Sequence, residues 1–126
     1  MNVSLADATA ADLAAAYRRG DTTPVEVTEA FVGRIEIGPT WRTVTRTRAM
    51  RQAQRAQHAF ERGVDLGPLQ GIPMAIKDLF DFKPGWVTTF GGIRAFEEYV
   101  ADVYCPFAER VEQAGAIILG KTNSPT

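Results

Sequence analysis

The chain has 126 residues, of which 45% are hydrophobic and 23% are charged, and its formal net charge is −1. A chain of this length forms one domain at most, and the near-neutral charge argues against a dedicated nucleic-acid or membrane-surface binder. The single cysteine, Cys105, excludes an internal disulfide, and we find neither a signal peptide nor a membrane-spanning apolar run, so we expect a cytoplasmic protein without membrane attachment.

Two helices are predicted near the start of the chain. The first covers residues 10–19, because Thr9 can cap its free amides and Gly20 can end it. The second begins with the capping-box pattern of residues 23–26, which places a proline at the first helical position, and Gly38-Pro39 ends it. Its predicted apolar stripe consists of Val27, Ala30, Phe31 and Ile35.

A third helix is predicted over residues 47–62, with Gly63 after it. Its inward face consists of Ala49, Ala53, Ala56 and Phe60. Six arginines lie in this region with Glu61 as the only acid: Arg42, Arg46, Arg48, Arg51, Arg55 and Arg62. The charges fit either an RNA-binding patch or a solvated helix face, and we favour the second. His58 has no second histidine as partner, so we expect a surface residue and no metal ligand.

The second half of the chain predicts strands. Ile72–Ile76 and Ala116–Leu119 are short apolar runs, and between them lie a turn-rich loop over residues 81–92 and a helix over residues 106–113. Strand, loop, helix and strand in this order form a crossover unit, so the two strands are predicted to be parallel. Residues 41–45 form a short strand or an extended link. The helical residues spaced for packing are Phe107, Arg110 and Val111.

Lys77 ends the first apolar strand. A strand buried on both faces would press this cation against an apolar wall, which disfavours the charged amine and would suit it to act as a base. Alternatively, Lys77 reaches the surface and pairs with Asp78 or Asp81. The spacing alone favours the second interpretation.

Residues 115–122 match the phosphate-loop pattern letter for letter. That pattern requires a flexible loop after a strand and before a helix, so that backbone amides surround a phosphate. Here the intervening residues Ala-Ile-Ile-Leu favour a strand, a predicted helix precedes Gly115, and no helix follows Thr122. We therefore reject nucleotide binding.

Four segments in order resemble the amidase signature family. They are Gly67–Asp78, Thr88-Thr89-Phe90-Gly91, Ala101-Asp102 and Ala114–Asn123. The resemblance implies cleavage or transfer at an amide carbonyl by a Ser-cisSer-Lys triad, in which Lys77 corresponds to the lysine. It also implies that the triad needs neither a metal nor an organic cofactor. On this resemblance we favour Lys77 as a catalytic base.

The resemblance implies an α/β fold in which N-terminal helices lead into part of a mixed, largely parallel sheet flanked by helices. Residues 1–126 would form the N-terminal part of one domain, with a helical lead-in over residues 1–65 and a core over residues 66–126. A sheet of two strands would leave open edges, so we expect the chain to need the C-terminal part of the domain or to self-associate.

The chain departs from the family pattern in its serines. Ser4 and Ser124 are the only two, and neither stands where the family has its nucleophile and relay. A base without these groups should catalyse nothing alone. Two interpretations remain open: an amidase whose serines lie elsewhere and whose partner is a small amide substrate, or a degenerate remnant that serves as an assembly module.

Overall fold

The computed structural model describes residues 5–35, 41–78 and 83–123. In this part of the chain the helices are α1 (Ala10–Arg19), α2 (Pro24–Arg34), α3 (Arg46–Glu61) and α4 (Pro106–Gln113). The strands are β1 (Trp41–Val44), β2 (Pro73–Lys77) and β3 (Ile117–Thr122), and single 3-10 turns occur at Leu5–Asp7 and Arg94–Phe96. Among the described residues, no helix is long and apolar enough to cross a membrane.

The predicted helix starts are confirmed with one correction. Thr9 and Asp12 form a complete capping box at α1, and Gly20 ends this helix with a left-handed φ of 78°. At α2, Thr23 accepts from the Glu26 amide at 3.2 Å, but the Glu26 carboxylate accepts from the Thr22 hydroxyl instead of returning to the cap. The predicted end of α2 at Gly38-Pro39 lies outside the described residues.

The sheet has three strands, in the order β1-β3-β2. β2 and β3 are parallel, as predicted, and β1 pairs with β3 antiparallel. The expectation of a two-stranded sheet with the last strand at its edge was wrong, because residues 41–44 do form a strand and occupy the far side of β3. β3 also extends beyond Leu119 to Thr122, since its last residues pair with both neighbours.

The core covers both faces of β3. On one face Ile117 and Leu119 pack with Ala49 and Ala53 of α3. On the other face Ile118 packs with Trp86 and Val111. Two covered faces explain why residues 116–119 form a continuous apolar run rather than an alternating one.

α4 buries a different face from the predicted one. Ala108 and Val111 are buried, whereas Phe107 and Arg110 are exposed. Residues 108 and 111 lie three apart and share one side of an eight-residue helix, so residue 107 lies to its outer side. β2 also differs from expectation: Ile76 is buried, but Pro73, Met74 and Ala75 are only half-buried, because the outer edge of β2 has no strand beside it in the described residues.

A buried hydrogen bond joins α1 to the turn that leads into β2. The Tyr17 hydroxyl donates to the carbonyl oxygen of Gly71 over 2.6 Å. Gly71 has a φ of +78°, and a Cβ there would lie 2.9 Å from Pro24 Cγ and 3.0 Å from Tyr17 Cε2, so only glycine fits without displacement. Burial raises the pKa of the Tyr17 phenol.

We expect Tyr17→Phe to lower the free energy of unfolding by about 1–2 kcal/mol, because the buried Gly71 carbonyl loses its donor. Above about pH 10 the difference should narrow, since the unfolded parent loses the phenol proton that its folded state retains. Urea unfolding between about pH 7 and pH 11 measures both effects. Tyr99→Phe, at an exposed ring, is the control and should change stability by less than about 0.5 kcal/mol. An unchanged midpoint for Tyr17→Phe at neutral pH would contradict the assigned contact.

Candidate active site at the end of the parallel strands

Lys77 is the last residue of β2, and the parallel register places it opposite Thr122, the last residue of β3. Its side chain is exposed, and among the described residues it makes no ion pair and no side-chain hydrogen bond. The expected apolar wall is therefore missing from the described part of the chain. The alternative pairing with Asp78 is also wrong, because Asp78 is buried and bonds to other groups; Asp81 lies outside the described residues.

Asp78 connects the end of β2 to the following loop. Its carboxylate accepts from the amide of Thr89 at 2.9 Å and from the Thr89 hydroxyl. Its own amide donates to the carbonyl of Thr122 at 2.8 Å, and its carbonyl accepts from the amide of Gly91 at 2.7 Å. The backbone and side chain of Asp78 are thus held together by β3 and by the loop over residues 87–92.

Lys121 completes this arrangement, and the sequence did not lead us to it. It is 0% exposed, and its Nζ donates to the hydroxyl of Thr88, to the carbonyl of Val87 at 3.3 Å and towards Asp78 Oδ1 at 3.5 Å. A signal was present, since a lysine that follows the apolar run Ile117–Leu119 so closely is a candidate for burial with a partner. We had considered this lysine only as part of the phosphate-loop pattern.

An irregularity in strand pairing aims Lys121 at the loop. Met74 and Ala75 are consecutive in β2, yet they pair with Ile118 and Gly120 of β3, which leaves one extra residue in β3. Simple alternation would place Lys121 on the face of Ile117 and Leu119. The extra residue reverses that alternation, as bulges do, and Lys121 faces the loop instead.

The loop has a constrained backbone. Phe90 has a φ of 54° and is the only non-glycine residue with a positive φ among those described, and the next two residues, Gly91 and Gly92, each have a φ of 93°. The Gly92 amide donates to the Thr89 hydroxyl at 2.8 Å. This tight turn lets Thr89 and Gly91 reach Asp78 from one short segment.

The remaining sequence candidates lie elsewhere. Gly120-Lys121-Thr122 is part of β3 and not a loop, in agreement with the rejection of a phosphate site. His58 is on the exposed side of α3 and pairs with Glu61 at 3.1 Å. Within the described ranges, no three His, Cys, Asp or Glu side chains cluster closely enough to hold a metal. Ser4 and Ser124 lie outside those ranges.

The family model described as Amidase matches residues 26–126. The chain belongs to the amidase family. The match includes β2, the loop and β3, and therefore every residue of the arrangement around Lys77 and Lys121.

Amidase relatives share both sequence and fold with this chain. A glutamyl-tRNA(Gln) amidotransferase subunit from Streptomyces avermitilis is 36% identical over 126 residues, which cover 97% of this chain and 25% of that protein. The indoleacetamide hydrolase of Bradyrhizobium diazoefficiens is 34% identical over 121 residues, which cover 92% of this chain and 22% of that protein. The chain thus spans about a quarter of the length of the curated relatives it matches.

A solved structure described as a bacterial aryl acylamidase of the amidase signature enzymes superposes with a TM-score of 0.86 at 29% identity. The superposition covers 94% of this chain and 26% of that one. The peptide amidase of Stenotrophomonas maltophilia superposes with a TM-score of 0.83, also at 29% identity. The α/β fold and the resemblance to the amidase signature family are therefore confirmed.

The three lysines of the chain should differ sharply in reactivity, because Lys77 is exposed whereas Lys83 and Lys121 are 6% and 0% exposed. We expect a limiting amount of acetylating reagent at mildly alkaline pH to modify Lys77 at least about ten times faster than Lys121, since a buried, hydrogen-bonded amine cannot reach the reagent. Peptide mass spectrometry gives the three rates. In urea the rates should converge, and preferential labelling of Lys121 in the folded chain would refute the described arrangement.

Proposed function

We propose that Lys77 is the general base of an amide-cleaving site. The observation that carries this proposal is the position of Lys77: an exposed amine, unpaired among the described residues, at the carboxyl end of a strand in a parallel pair and within the segment matched to the amidase family. Ligand sites of α/β sheets lie at this end of the strands. A base must also be free to receive a proton, and among the described residues nothing competes for the Lys77 amine.

The reaction follows the chemistry implied by the resemblance to the amidase signature family. A neutral Lys77 amine takes a proton from a relay serine, which takes one from a nucleophilic serine; the serine oxygen then attacks the amide carbonyl. The amine product leaves, and water or another acceptor releases the acyl group. The relatives include an amidotransferase, an indoleacetamide hydrolase and an aryl acylamidase. The common substrate class is a carboxylic amide.

Both serines must come from polypeptide outside the described residues. We propose that residues 1–126 form the N-terminal part of one domain, a helical lead-in over 1–65 and a core over 66–126, and that the 126-residue chain alone is inactive. Cover over the outer edge of β2 would then exclude water from Lys77, which disfavours the charged amine and favours the neutral base. A cytoplasmic location is part of the proposal, because Cys105 is buried as a free thiol.

The test is a hybrid enzyme. The matched segment of the Bradyrhizobium indoleacetamide hydrolase is replaced by residues 1–126, and indoleacetamide hydrolysis is measured. We expect an active hybrid in which Lys77→Ala lowers kcat at least about 100-fold, as removal of a general base does. Arg94→Ala, which removes an exposed cation from the 3-10 turn, is the matched control and should retain activity.

Two results would refute the proposal. One is a folded hybrid with no activity while the parent hydrolase is active, which would favour a degenerate assembly module. The other is a Lys77→Ala hybrid that keeps the activity of the unmodified hybrid.

The chain also presents an apolar surface that fits a completing polypeptide. Of the ten large hydrophobic residues that are exposed in the described part of the chain, seven belong to residues 93–107, namely Ile93, Phe96, Tyr99, Val100, Val103, Tyr104 and Phe107. Isolated monomeric domains rarely expose large contiguous apolar patches. We propose that this segment packs against the remainder of the amidase domain.

We expect the 126-residue chain by itself to associate through this segment at micromolar concentration. The double variant Val103→Ser with Phe107→Ser should reduce association, because both side chains are more than half exposed. Val64→Ser with Leu66→Ser removes two exposed apolar side chains outside the segment and serves as the control. Sedimentation velocity measures the outcome, and equal association of both double variants would contradict this role for residues 93–107.

A further inference from the structure

A buried polar network lies directly behind Lys77, on the other side of the sheet. Successive residues of a strand point to opposite faces, so Lys77 leaves the sheet on one side while Asp78 points to the side of Lys121 and the loop. The Lys121 amine donates to three acceptors, and the Asp78 carboxylate accepts from two groups of Thr89 as well as from Lys121. All of these partners belong to the end of β2, to β3 or to residues 87–89.

Burial of this pair demands an explanation. Lys121 is 0% exposed and the Asp78 side chain 1%, and taking two charges out of water costs more than most pairs recover. A pair of apolar residues would stabilise the same position as well or better. The geometry that the charges impose is therefore the property that distinguishes this pair from an apolar contact.

The network acts on Lys77 through the backbone. The amide of Asp78 belongs to the peptide group that joins Lys77 to Asp78, and it donates to Thr122. The carbonyl of Asp78 accepts from Gly91, and its carboxylate from Thr89. Because the Lys77 side chain has no polar contact that orients it among the described residues, the direction in which it leaves the sheet is set by this backbone.

We propose that the buried pair of Lys121 and Asp78 is a positioning device for the Lys77 amine. It fixes the peptide group after Lys77 and ties the strand end to the turn at residues 90–92. Lys121 and Asp78 touch no substrate in this scheme, and the inference depends on the proposed role of Lys77. A base misplaced by about 1 Å loses up to about 100-fold in rate.

The experiment uses the hybrid enzyme and three variants of the pair: Lys121→Met, Asp78→Asn and the double variant. Each single variant leaves one buried group unpaired, so its stability should fall, and the double variant should recover much of it. We expect kcat per folded active site to fall about 10- to 100-fold in all three, with KM changed less than about threefold, because substrate binding is intact while the base is displaced.

The matched control is Lys83→Met. Lys83 and Glu112 form another buried ion pair, and their contacts in the described residues do not include Lys77, Asp78 or Lys121. This variant should lose stability as Lys121→Met does but retain its kcat per folded site. It separates the general cost of breaking a buried pair from an effect on Lys77.

A second measurement uses the 126-residue chain itself. Amide exchange of Thr89 and Gly91 reports on their bonds to Asp78, and protection should fall at least about tenfold in Lys121→Met and in the double variant, but not in Lys83→Met. This readout needs no serines. It therefore decides the question even where a hybrid variant fails to fold.

The outcomes are distinguishable. If Lys77→Ala abolishes activity but the double variant recovers kcat together with stability, the pair is only structural and the positioning role is overturned. Unchanged exchange at Thr89 and Gly91 in Lys121→Met would overturn it as well. If Lys77→Ala leaves activity intact, the proposed function itself fails, whatever the other variants do.

Discussion

β3 is the element on which the described structure depends, because it is bonded on both edges and packed on both faces. β1 and β2 pair with its two sides, α3 covers one face, and α4 with Trp86 covers the other. The functional groups of the candidate site are placed relative to it. Lys77 ends beside its last residue, and Lys121 projects from it into the loop.

Local chemistry in the sequence predicted the helices well. Side-chain caps, proline at the first helical turn and glycine at the ends act over three or four residues, so Thr9, Thr23 and Gly20 define helix ends without help from the rest of the fold. The strands that become β2 and β3, and their parallel pairing, also followed from short apolar runs separated by a helix. What remained hidden was the sheet around them, since the pairing of β1 with β3 joins residues far apart in the chain, such as Trp41 and Thr122.

The candidate site was predictable in part, and the reason lies in two lysines. Lys77 follows an apolar strand without interruption, so its place at a strand end could be inferred from its neighbours. Lys121 could not be placed in this way, because the extra residue in β3 reverses the alternation on which such inference rests. The sequence also suggested a buried setting for Lys77 that the described residues do not provide. Burial of an edge strand is decided by what lies beside it, and no local pattern contains that information.

The contact between Tyr17 and Gly71 bears on where this protein can be divided into interchangeable parts. The family match begins at residue 26, which leaves α1 and its tyrosine outside it, yet the tyrosine hydroxyl bonds to the turn just before the strand of Lys77. Pro24 also crowds that turn. A module boundary drawn at residue 26 would cut through this contact. Evolutionary exchange of the first helix between relatives is thus restricted to partners whose tyrosine, proline and glycine change together.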